Sequence, residues 1–554
     1  MAVGTASAGP RATVSAWAPF GHSAFAVLWT ATVLSNVGTW MHDVGAGWLM
    51  TELSPSPFVV AAVQAATTLP IFLFALLAGA VADIVDRRKL LIGVNAAMGV
   101  TAGALALLVS LDLMTPLGLI LFTFLLGTGA AFMAPAWQAI VPSLVPRSEL
   151  GPAIALNSMG INVSRAIGPA LAGFLIVALG LAAPFALNAL SFLGIIAALL
   201  WWRPPPRPAG DLPPEHVVPA VRAGLRYAWN SAPLKATLIR AAGFFAFASA
   251  YWAMLPLITR QVLDGGPTLY GLLLACVGGG AVAGALVLPR IKRKLGADRT
   301  VAAGSLGTAL VLLLFALVPN PVVAGLASAL AGLSWIAVLS SLHVSAQTAL
   351  PDWVRARGLS IFLTVFFGAM AGGSLVWGQV ASLAGIPAAL IVAAAGAALF
   401  IPVTWRAKLG QGEALDLAPS MHWPAPVVAE DAPGERGPVM TQIAYEVAEN
   451  DRSAFVALMQ NLAEARRRNG AYHWSLMQDA ERPERFLETW IEASWTEHLR
   501  HHERVTAADK ALQEQVRALL RKGAAPQVTH LLSPAPALSE ASRSDGRGEG
   551  QTKE

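Results

Sequence analysis

The sequence predicts an all-α membrane protein of twelve transmembrane helices in two six-helix repeats, with a small α+β ferredoxin-like domain on its cytoplasmic side. The first observation is composition: of 554 residues, 55% are hydrophobic and 13% are charged, against about 25% charged in soluble domains. The second is distribution, because residues 437–554 hold 32 charged side chains whereas residues 1–436 hold 39. These observations exclude a wholly soluble or disordered chain and predict a membrane part followed by a soluble domain.

Twelve apolar segments are long enough to cross a bilayer as helices, which takes about 20 residues each. Proline marks the start of several, as at Pro116, Pro184 and Pro267. The predicted spans are 24–50, 58–82, 90–111, 116–138, 152–180, 184–202, 236–262, 268–289, 300–318, 322–348, 358–382 and 386–405. The Pro-rich stretch 203–235 separates the sixth span from the seventh, so the pattern is six spans, a long linker and six spans.

The loops between the spans carry basic residues on alternate sides only. Basic clusters lie around 87–89, 203–226, 290–294, 355–357 and 406–408, whereas the intervening loops have almost no charge. The positive-inside rule assigns the basic loops to the cytoplasm, so we expect a multi-pass protein of the inner (plasma) membrane with both termini cytoplasmic. The net charge of +5 reflects this topology, and no nucleic-acid partner is expected.

The two halves resemble each other in sequence. Gly79 and the basic cluster 87–89 correspond, at one constant offset, to Gly284 and the cluster 292–294. Two repeats in the same orientation predict two bundles related by an axis along the membrane normal, with a substrate site between them near the midplane. The predicted domains are a first bundle 1–203, a cytoplasmic linker 204–235, a second bundle 236–406, a linker 407–436, the ferredoxin-like domain 437–532 and a disordered tail 533–554.

The end of span two carries a family resemblance. The segment GAVADIVDRRK, with Gly79, Asp83, Arg87 and Arg88, resembles the loop motif of the major facilitator superfamily. The resemblance implies a cytoplasmic gate, in which Asp83 caps a neighbouring helix N-terminus in the outward-facing state and releases it when the carrier opens inward. A helix-dipole contact of ~0.3–1 kcal/mol suits such a latch. The alternative is that these charges only set the orientation of the chain.

Span five carries a second resemblance. Gly168, Pro169 and Gly173 look like the Gly-Pro motif of antiporters in the same superfamily. The stretches NVGTWMHDVGAGWL and AFMAPAWQAIVPSLVPRSELGPAIALNS are similar to a branch of bacterial drug and siderophore efflux carriers that includes the enterobactin exporter. The resemblance covers residues 20–406 and implies export by alternating access.

The predicted function is therefore secondary active transport, with proton-coupled efflux of an amphipathic small molecule such as a drug, a metabolite or a siderophore. The cytoplasmic part has no GxxxxGK[ST] loop, so ATP is not the expected driver. The expected partners are the substrate, a coupling proton and the lipid bilayer; no cofactor, metal or enzymatic activity is expected. The alternative is a transporter fused to a catalytically active, cofactor-free monooxygenase-like domain that modifies its substrate.

Few ionisable side chains lie inside the spans, where the cost of burying a charge marks a residue as a functional candidate. Arg165 lies near the middle of span five and Asp43 in the outer half of span one, so Asp43 or a backbone carbonyl is a candidate partner for Arg165. We expect Arg165 to face the cavity and bind an anionic substrate group or tune a titrating acid; the alternative is a structural arginine. Asn36 and Asn162 lie at similar depth and complete the transport and coupling site, with hydrogen bonding between helices as their alternative role.

After residue 436 the hydrophobic pattern changes to the alternation that is typical of strands. Strands are predicted at 439–447, 472–478, 486–493 and 526–532, and helices at 455–462 and across 495–522. The order β-α-β-β-α is that of a ferredoxin-like domain.

This domain resembles the antibiotic-biosynthesis-monooxygenase type through the stretches GAYHWSLMQD and FLETWIEASWTEHLRHHE. The resemblance implies dimerisation through the domain. A pocket of that type would be lined by His473, Trp474, Trp490, Trp495 and His498. The alternative is a packed domain with core tryptophans that serves assembly or regulation, and no acid/base pair is identifiable by spacing.

Three histidines of this domain, His498, His501 and His502, have the i, i+3, i+4 spacing at which a helix can present metal ligands. No further Cys or acidic ligand accompanies them, and the single cysteine, Cys276, lies in an apolar run. The sequence therefore predicts no metal site.

Overall fold

The chain forms two compact units. The structure, a computed structural model, describes residues 15–203, 217–410, 415–423 and 436–533. The first unit comprises 1–221, 233–349 and 356–412. The second unit comprises 222–232, 350–355 and 413–554. The predicted tail 533–554 lies, after Ser533, outside the described residues.

Long apolar helices build the first unit, and most of them begin at a proline or a capping polar residue. The helices up to residue 403 are α1 (Ser23–Leu53), α2 (Pro57–Ile84), α3 (Arg87–Ser110), α4 (Pro116–Ile140), α5 (Leu150–Leu179), α6 (Ala182–Trp201), α7 (Val217–Asn230), α8 (Ala232–Leu257), α9 (Pro267–Leu317), α10 (Pro321–Thr348), α11 (Arg355–Ala384) and α12 (Ile386–Val403). Residues 222–230 of α7 belong to the second unit. Within the described ranges, eleven of them, all except α7, are long and apolar enough to cross a membrane.

Helix α9 provides two of the twelve predicted crossings. Its 51 residues would extend about 77 Å as one straight helix, more than twice the ~30 Å thickness of a hydrocarbon core. Gly296 interrupts it with φ 73° and ψ 174°, a left-handed conformation that glycine adopts without a steric penalty. A Cβ on Gly284, before the break, would lie 3.1 Å from Leu333 of α10, and one on Gly304, after it, 3.1 Å from Ser334. The two arms of α9 therefore lie side by side, and the prediction of spans 268–289 and 300–318 is correct.

The predicted linker 204–235 contains regular structure. Residues 217–230 form α7, and α8 begins at Ala232, so span seven starts earlier than the sequence suggested. On α7, Arg222, Arg226 and Asn230 recur every four residues on one face and Val221, Leu225 and Trp229 on another, which makes the helix amphipathic. The remainder of this predicted linker, 204–216, lies outside the described residues.

The second unit contains a four-stranded antiparallel sheet and three helices. Its elements are β1 (Val439–Glu446), α13 (Arg452–Asn469), β2 (Tyr472–Gln478), β3 (Arg485–Glu492), α14 (Trp495–Arg504), α15 (Ala507–Ala518) and β4 (Gln527–Leu532). The strand order is β2-β3-β1-β4, which is the ferredoxin-like topology that the sequence predicted.

The core of this domain lies between the sheet and the helices that pack on it. Burial alternates along β3, so that Phe486 and Trp490 point inward with Phe455 and Met459 of α13. The central strand β1 pairs on both sides, and Thr441 lies opposite both Trp490 of β3 and His530 of β4. This register places His530 of β4 level with Trp490 of β3, with β1 between the two strands.

The core position of Phe455 yields a stability prediction. Its ring is fully buried and lies 5.4 Å from Tyr445 and 5.1 Å from Phe486. Replacing it by alanine leaves a cavity and is expected to destabilise the domain by about 3–5 kcal/mol. In the full-length chain, amide exchange of β1 and β3 should accelerate at least tenfold. The neighbouring change Val456→Ala, at a position that is 38% exposed, should leave exchange unchanged; equal effects of the two variants would contradict this core assignment.

Candidate functional site

The two six-helix halves of the first unit contact each other along paired helices. At the start of α2, the backbone N–H of Phe58 donates a hydrogen bond to Ser382 Oγ near the end of α11, at 3.0 Å. At the end of α5, a Cβ on Gly173 would lie 2.6 Å from the carbonyl oxygen of Pro267, the first residue of α9. These contacts are so close that the helix backbones nearly touch. Both lie at the end of the bundle opposite to the basic loops.

A third contact closes the same end. Arg260, which follows α8, donates a hydrogen bond from Nη1 to Thr51 Oγ1 of α1 at 3.0 Å. Its guanidinium carbon also lies 5.8 Å from the ring centroid of Trp48, within the range of a cation–π contact. The Trp48 ring in turn stacks on Tyr270 of α9 with centroids 6.3 Å apart. A polar and aromatic layer thus joins α1 to the second half.

Arg165 lies deeper in the same interface. A Cβ on Gly168, one turn after Arg165, would lie 2.6 Å from Trp40 Cβ, so α1 and α5 touch there. The Arg165 guanidinium carbon lies 5.2 Å from the centroid of the Trp40 ring. The carbonyl oxygen of Arg165 would lie 3.1 Å from a Cβ on Gly278 of α9, and Tyr251 of α8 is within electrostatic range of the guanidinium. Arg165 therefore stands where both halves meet.

The Arg165 guanidinium has no ion-pair partner among the described residues. Its Nε has no hydrogen-bond partner in the described part of the chain. Asp43, the partner suggested by the sequence, forms no ion pair with it there, because α1 presents the Trp40 ring to Arg165 instead. Asp43 lies beside Tyr270 of α9, nearer to the closed end, and the described residues give its carboxylate no ion pair either. Of the two candidate partners, Asp43 and a backbone carbonyl, Asp43 is not paired with Arg165 among the described residues.

The two predicted asparagines lie on the same helices. Asn162, three residues before Arg165, donates a hydrogen bond from Nδ2 to the Ser158 carbonyl of its own helix at 2.8 Å. Asn36 lies one turn before Trp40 on α1, and both are half-buried. Residues at i, i+3 and i, i+4 share one helix face, so Asn162 accompanies Arg165 and Asn36 accompanies Trp40.

The glycine motif of α5 shapes this interface rather than carrying chemistry. Gly168, Pro169 and Gly173 are all buried. Gly168 faces α1, whereas Gly173 and the Pro169 carbonyl face α9, where the carbonyl contacts Gly271. The absence of side chains at these places lets α5 approach helices of both halves.

The arginines of the predicted gate motif bind helix ends within the first half. Arg87 donates from Nη1 to the Ala139 carbonyl at the end of α4, at 3.0 Å. Arg88 donates to the carbonyls of Leu199 and Leu200 at the end of α6, at 2.7 and 2.8 Å. The last carbonyls of a helix lack backbone partners and carry partial negative charge. The two arginines therefore tie the turn between α2 and α3 to two neighbouring helices.

The rest of the gate motif is less constrained by the structure. Asp86 caps α3 by accepting a hydrogen bond from the Lys89 backbone N–H at 2.8 Å. A Cβ on Gly79 would meet no atom within 4 Å. The side chain of Asp83, on which the gate prediction depends, lies outside the described residues.

A cluster of aromatic rings in the second half includes Tyr251, which is within electrostatic range of Arg165. The Trp252 and Trp335 rings are 5.4 Å apart, and Phe245 lies 5.2 Å from Trp335 and 4.2 Å from Phe366. The indole N–H groups of both tryptophans have no partner among the described residues. Tyr251, whose ring is 5.6 Å from Trp252, belongs to the same cluster and was not among the candidate residues from the sequence. A tyrosine within an apolar span was the available signal.

The second unit contains a separate cavity of about 510 Å³, a size typical of small-molecule sites. It is lined by Trp423, Thr441, Ile443, Tyr445, Leu462, Arg466, Trp490, His498, His502, Gln513, Val516, Arg517, Pro526, Val528, Thr529 and His530. Of the predicted pocket residues, Trp490 and His498 line the cavity. His473, Trp474 and Trp495 are not among its lining residues.

A buried ion pair forms part of this cavity. Arg466 Nε lies 3.2 Å from Glu488 Oε1, and both side chains are almost completely buried. Tyr445 and Trp474 donate to the same carboxylate at 2.7 and 2.9 Å. Burial alone would lower the pKa of Arg466, but the neighbouring Glu488 carboxylate outweighs it and raises this pKa. The guanidinium carbon lies 4.2 Å from the Trp490 ring, so a fixed positive charge stands beside the cavity.

A histidine cluster also lines this cavity, through His498, His502 and His530. His498 Nδ1 is 2.5 Å from Glu492 Oε2, and His501 Nδ1 contacts the other oxygen of that carboxylate. The three histidines with i, i+3, i+4 spacing, His498, His501 and His502, therefore do not form one cluster, because His501 faces Glu492. Instead, ring nitrogens of His498, His502 and His530 lie within 4.8 Å of one another. Burial, followed by the nearby His498, lowers the pKa of His502 to about 4, so this ring is neutral at pH 7.

Solved structures with the same fold are transporters. A POT family transporter in complex with 5-aminolevulinic acid has a TM-score of 0.57 at 13% identity, covering 70% of this chain and 96% of its own. A bacterial homologue of the human lysosomal transporter Spinster, in an inward-facing and unoccupied conformation, has a TM-score of 0.53 at 16% identity, covering 69% and 96%. At these identities the similarity shows the fold alone.

Characterised relatives are siderophore transporters. The staphyloferrin A transporter of Staphylococcus aureus is 26% identical over 367 residues, which are 64% of this chain and 89% of the relative. The enterobactin exporter EntS of Escherichia coli O1:K1 is 26% identical over 343 residues, which are 61% of this chain and 80% of the relative.

The profile of one family matches nearly the whole chain. It covers residues 14–537 and is described as transmembrane secretion effector. The match includes the second unit as well as the membrane helices. This chain is a multi-pass membrane transporter that belongs to the transmembrane secretion effector family of the major facilitator superfamily.

Proposed function

We propose that the protein exports an amphipathic, anionic small molecule of the siderophore class across the inner membrane by alternating access. The observation that carries this proposal is Arg165, a cation without a protein counter-ion in the described residues, located between the two halves. Leaving a charge unpaired at membrane depth is costly. A substrate carboxylate or catecholate would supply the missing partner, and the relatives named for staphyloferrin A and enterobactin support this class.

The surroundings of Arg165 suit an aromatic or amphipathic substrate. Trp40 covers the guanidinium from the first half, and Trp252 and Trp335 offer unpartnered indole N–H groups in the second half. Such groups can donate hydrogen bonds while the ring faces present apolar surface. Asn36 and Asn162 add amide groups on the helices that carry Trp40 and Arg165.

The proposed orientation places the closed end of the bundle on the outer side of the membrane. With the basic loops and both termini in the cytoplasm, the contacts of Phe58 with Ser382 and of Arg260 with Thr51 close the outer end. Such an arrangement receives substrate from the cytoplasm. Export then requires these contacts to separate while the cytoplasmic ends approach each other.

The coupling proton is proposed to bind at Asp43. Its carboxylate lies within α1 beside Tyr270, at a depth where a permanently charged, unpaired group is unfavourable. Protonation removes that cost, so the carboxylate can gain and lose a proton as the outer contacts form and separate. Asp83 is proposed as the cytoplasmic latch, on the motif resemblance and on the arginine contacts that fix the turn beside it.

The C-terminal domain is proposed to serve assembly or regulation, including dimerisation. Its ferredoxin-like sheet has the topology of the oxygenase-type domain that it resembles. The characterised relatives carry transporter names, and nothing in them supports the oxygenase alternative.

Arg165 tests the substrate site directly. In proteoliposomes with an imposed pH gradient, wild-type protein should accumulate carboxylate or catecholate siderophores. Arg165→Gln should reduce this uptake at least tenfold, because removing one partner of a buried charge pair typically costs 2–5 kcal/mol. Arg165→Lys, which keeps the positive charge, should restore part of the uptake. Arg293→Gln, at an exposed position of α9, is the charge-matched control. Full activity of Arg165→Gln, or transport of cationic drugs only, would contradict the proposed substrate class.

Gly173 tests the moving interface. Gly173→Ala places a methyl group against the Pro267 carbonyl, and overpacking of this kind costs about 1–3 kcal/mol. We expect a several-fold lower transport rate with little change in substrate affinity, measured as initial rates against substrate concentration. Gly151→Ala is the matched control, because it lies on the same helix and its Cβ would meet no atom within 4 Å. Equal rates for the two variants would count against a closed outer interface at this position.

Asp83 tests the latch. Asp83→Asn keeps the shape of the side chain and removes the charge that would favour a helix N-terminus by ~0.3–1 kcal/mol. Accessibility of a cysteine introduced at Ser158 to a cytoplasmic thiol reagent, in a Cys276→Ser background, should rise by about twofold to fivefold. Glu149→Gln, a carboxylate of the first half that pairs with His22 at 3.1 Å, serves as the comparison. If Asp83→Asn and wild type show the same accessibility, the latch is contradicted, and the charges of the gate motif serve only to set the orientation of the chain in the membrane.

A further inference from the structure

The second unit contains three imidazoles that transport does not use. His498 and His502 are one helical turn apart on α14, and His530 lies on β4, so two elements distant in sequence present them together. The ring centroids of His498 lie 4.8 Å from His502 and 4.7 Å from His530. One ligand nitrogen from each ring lies within 4.8 Å of the other two.

His498 is oriented in the way that metal-binding histidines are. Its Nδ1 is held by the Glu492 carboxylate at 2.5 Å, while its Nε2 is buried and has no partner among the described residues. A carboxylate on one ring nitrogen fixes the tautomer and leaves the other nitrogen free to bind a metal. Leaving a buried nitrogen unsatisfied costs about 1–3 kcal/mol, and a metal ion would remove that cost.

We propose that His498, His502 and His530 form a binding site for one divalent transition-metal ion in the C-terminal domain. Imidazole nitrogens suit Zn²⁺, Cu²⁺, Fe²⁺ and Ni²⁺. Around Zn²⁺ at ~2.0–2.1 Å, tetrahedral ligand nitrogens are about 3.3 Å apart. The observed separations need only small side-chain rotations to reach this value, and His502 and His530 are half-buried rather than locked in the core.

The site opens to the cavity of about 510 Å³, so the fourth coordination position faces that cavity. Thr441 Oγ1, a buried hydroxyl without a partner in the described residues, lines the same cavity and lies on β1 opposite His530. Three histidines with an open fourth position are the arrangement of metal sites that exchange a water or another ligand, whereas purely structural zinc sites use four protein ligands.

The alternative is a histidine cluster that serves packing only. His501 has the same arrangement as His498, with Nδ1 on Glu492 and a buried Nε2 without a partner among the described residues. What packing alone does not account for is that ring nitrogens of His498, His502 and His530 lie together, since packing would favour apolar side chains there.

The test uses the full-length protein, purified in detergent through a tag without histidine and titrated with Co²⁺. The visible absorption of four- or five-coordinate Co²⁺ reports imidazole ligation, and competition with Zn²⁺ gives the affinity. We expect one Co²⁺ per chain. His502→Gln and His530→Gln should each weaken binding at least tenfold, and Glu492→Gln should weaken it about 10- to 100-fold, the usual effect of removing a carboxylate behind a metal-binding histidine.

His473→Asn is the matched control, because His473 is an exposed histidine of the same domain with φ 50°, a conformation that asparagine tolerates. It should bind Co²⁺ as wild type does. Two variants at half-buried positions keep the test decisive if Glu492→Gln fails to fold, and circular dichroism of metal-free samples identifies folded variants. Absence of stoichiometric binding by wild type, unchanged binding in both folded histidine variants, or equal loss in His473→Asn would overturn the proposal.

Discussion

The cost of placing an unpaired charge in hydrocarbon governs the membrane part of this protein. It explains why the spans are almost free of charge and why the arginines of the α2–α3 turn end on helix carbonyls. The same cost makes Arg165 a functional candidate. This cation lies between two six-helix halves, with the Trp40 ring beside it and no carboxylate from the described residues. Among the described residues this position has no counter-ion, and the proposed anionic substrate would supply one.

A second constraint is close approach. Helices that must slide or rock against each other cannot interlock long side chains, and here α5 meets both α1 and α9 through positions without side chains. The backbone of Arg165 lies against Gly278, while its side chain reaches toward Tyr251. The residue proposed to bind substrate is therefore part of the surface along which the halves move, which links occupancy of the site to the position of the halves.

Much of this architecture was predictable from sequence because it depends on local composition. Span number, the α9 double crossing and the strand order of the C-terminal domain follow from hydrophobic periodicity and loop charge. The candidate site was only partly predictable. Arg165 stood out as a charge in an apolar run, but its neighbour is Trp40 rather than Asp43, since helix rotation decides which side chains of α1 face α5. His530 was not linked to His498 because only the pairing of β4 with β1 brings the C-terminal strand to α14. Helix α7 was missed because its short amphipathic pattern follows a proline-rich stretch.

The reversal at Gly296 has a mechanical consequence. A single residue turns the chain between the two arms of α9, and both arms rest against adjacent residues of α10. Membrane helices joined by a flexible loop can tilt independently, whereas a connection of one residue is too short to accommodate a change in the angle between the helices. The first arm of α9, which contacts α5 through Gly271 and Gly278, is therefore rigidly connected to the second arm. A displacement of α5 would therefore move the first arm of α9 and, through Gly296, also the second arm.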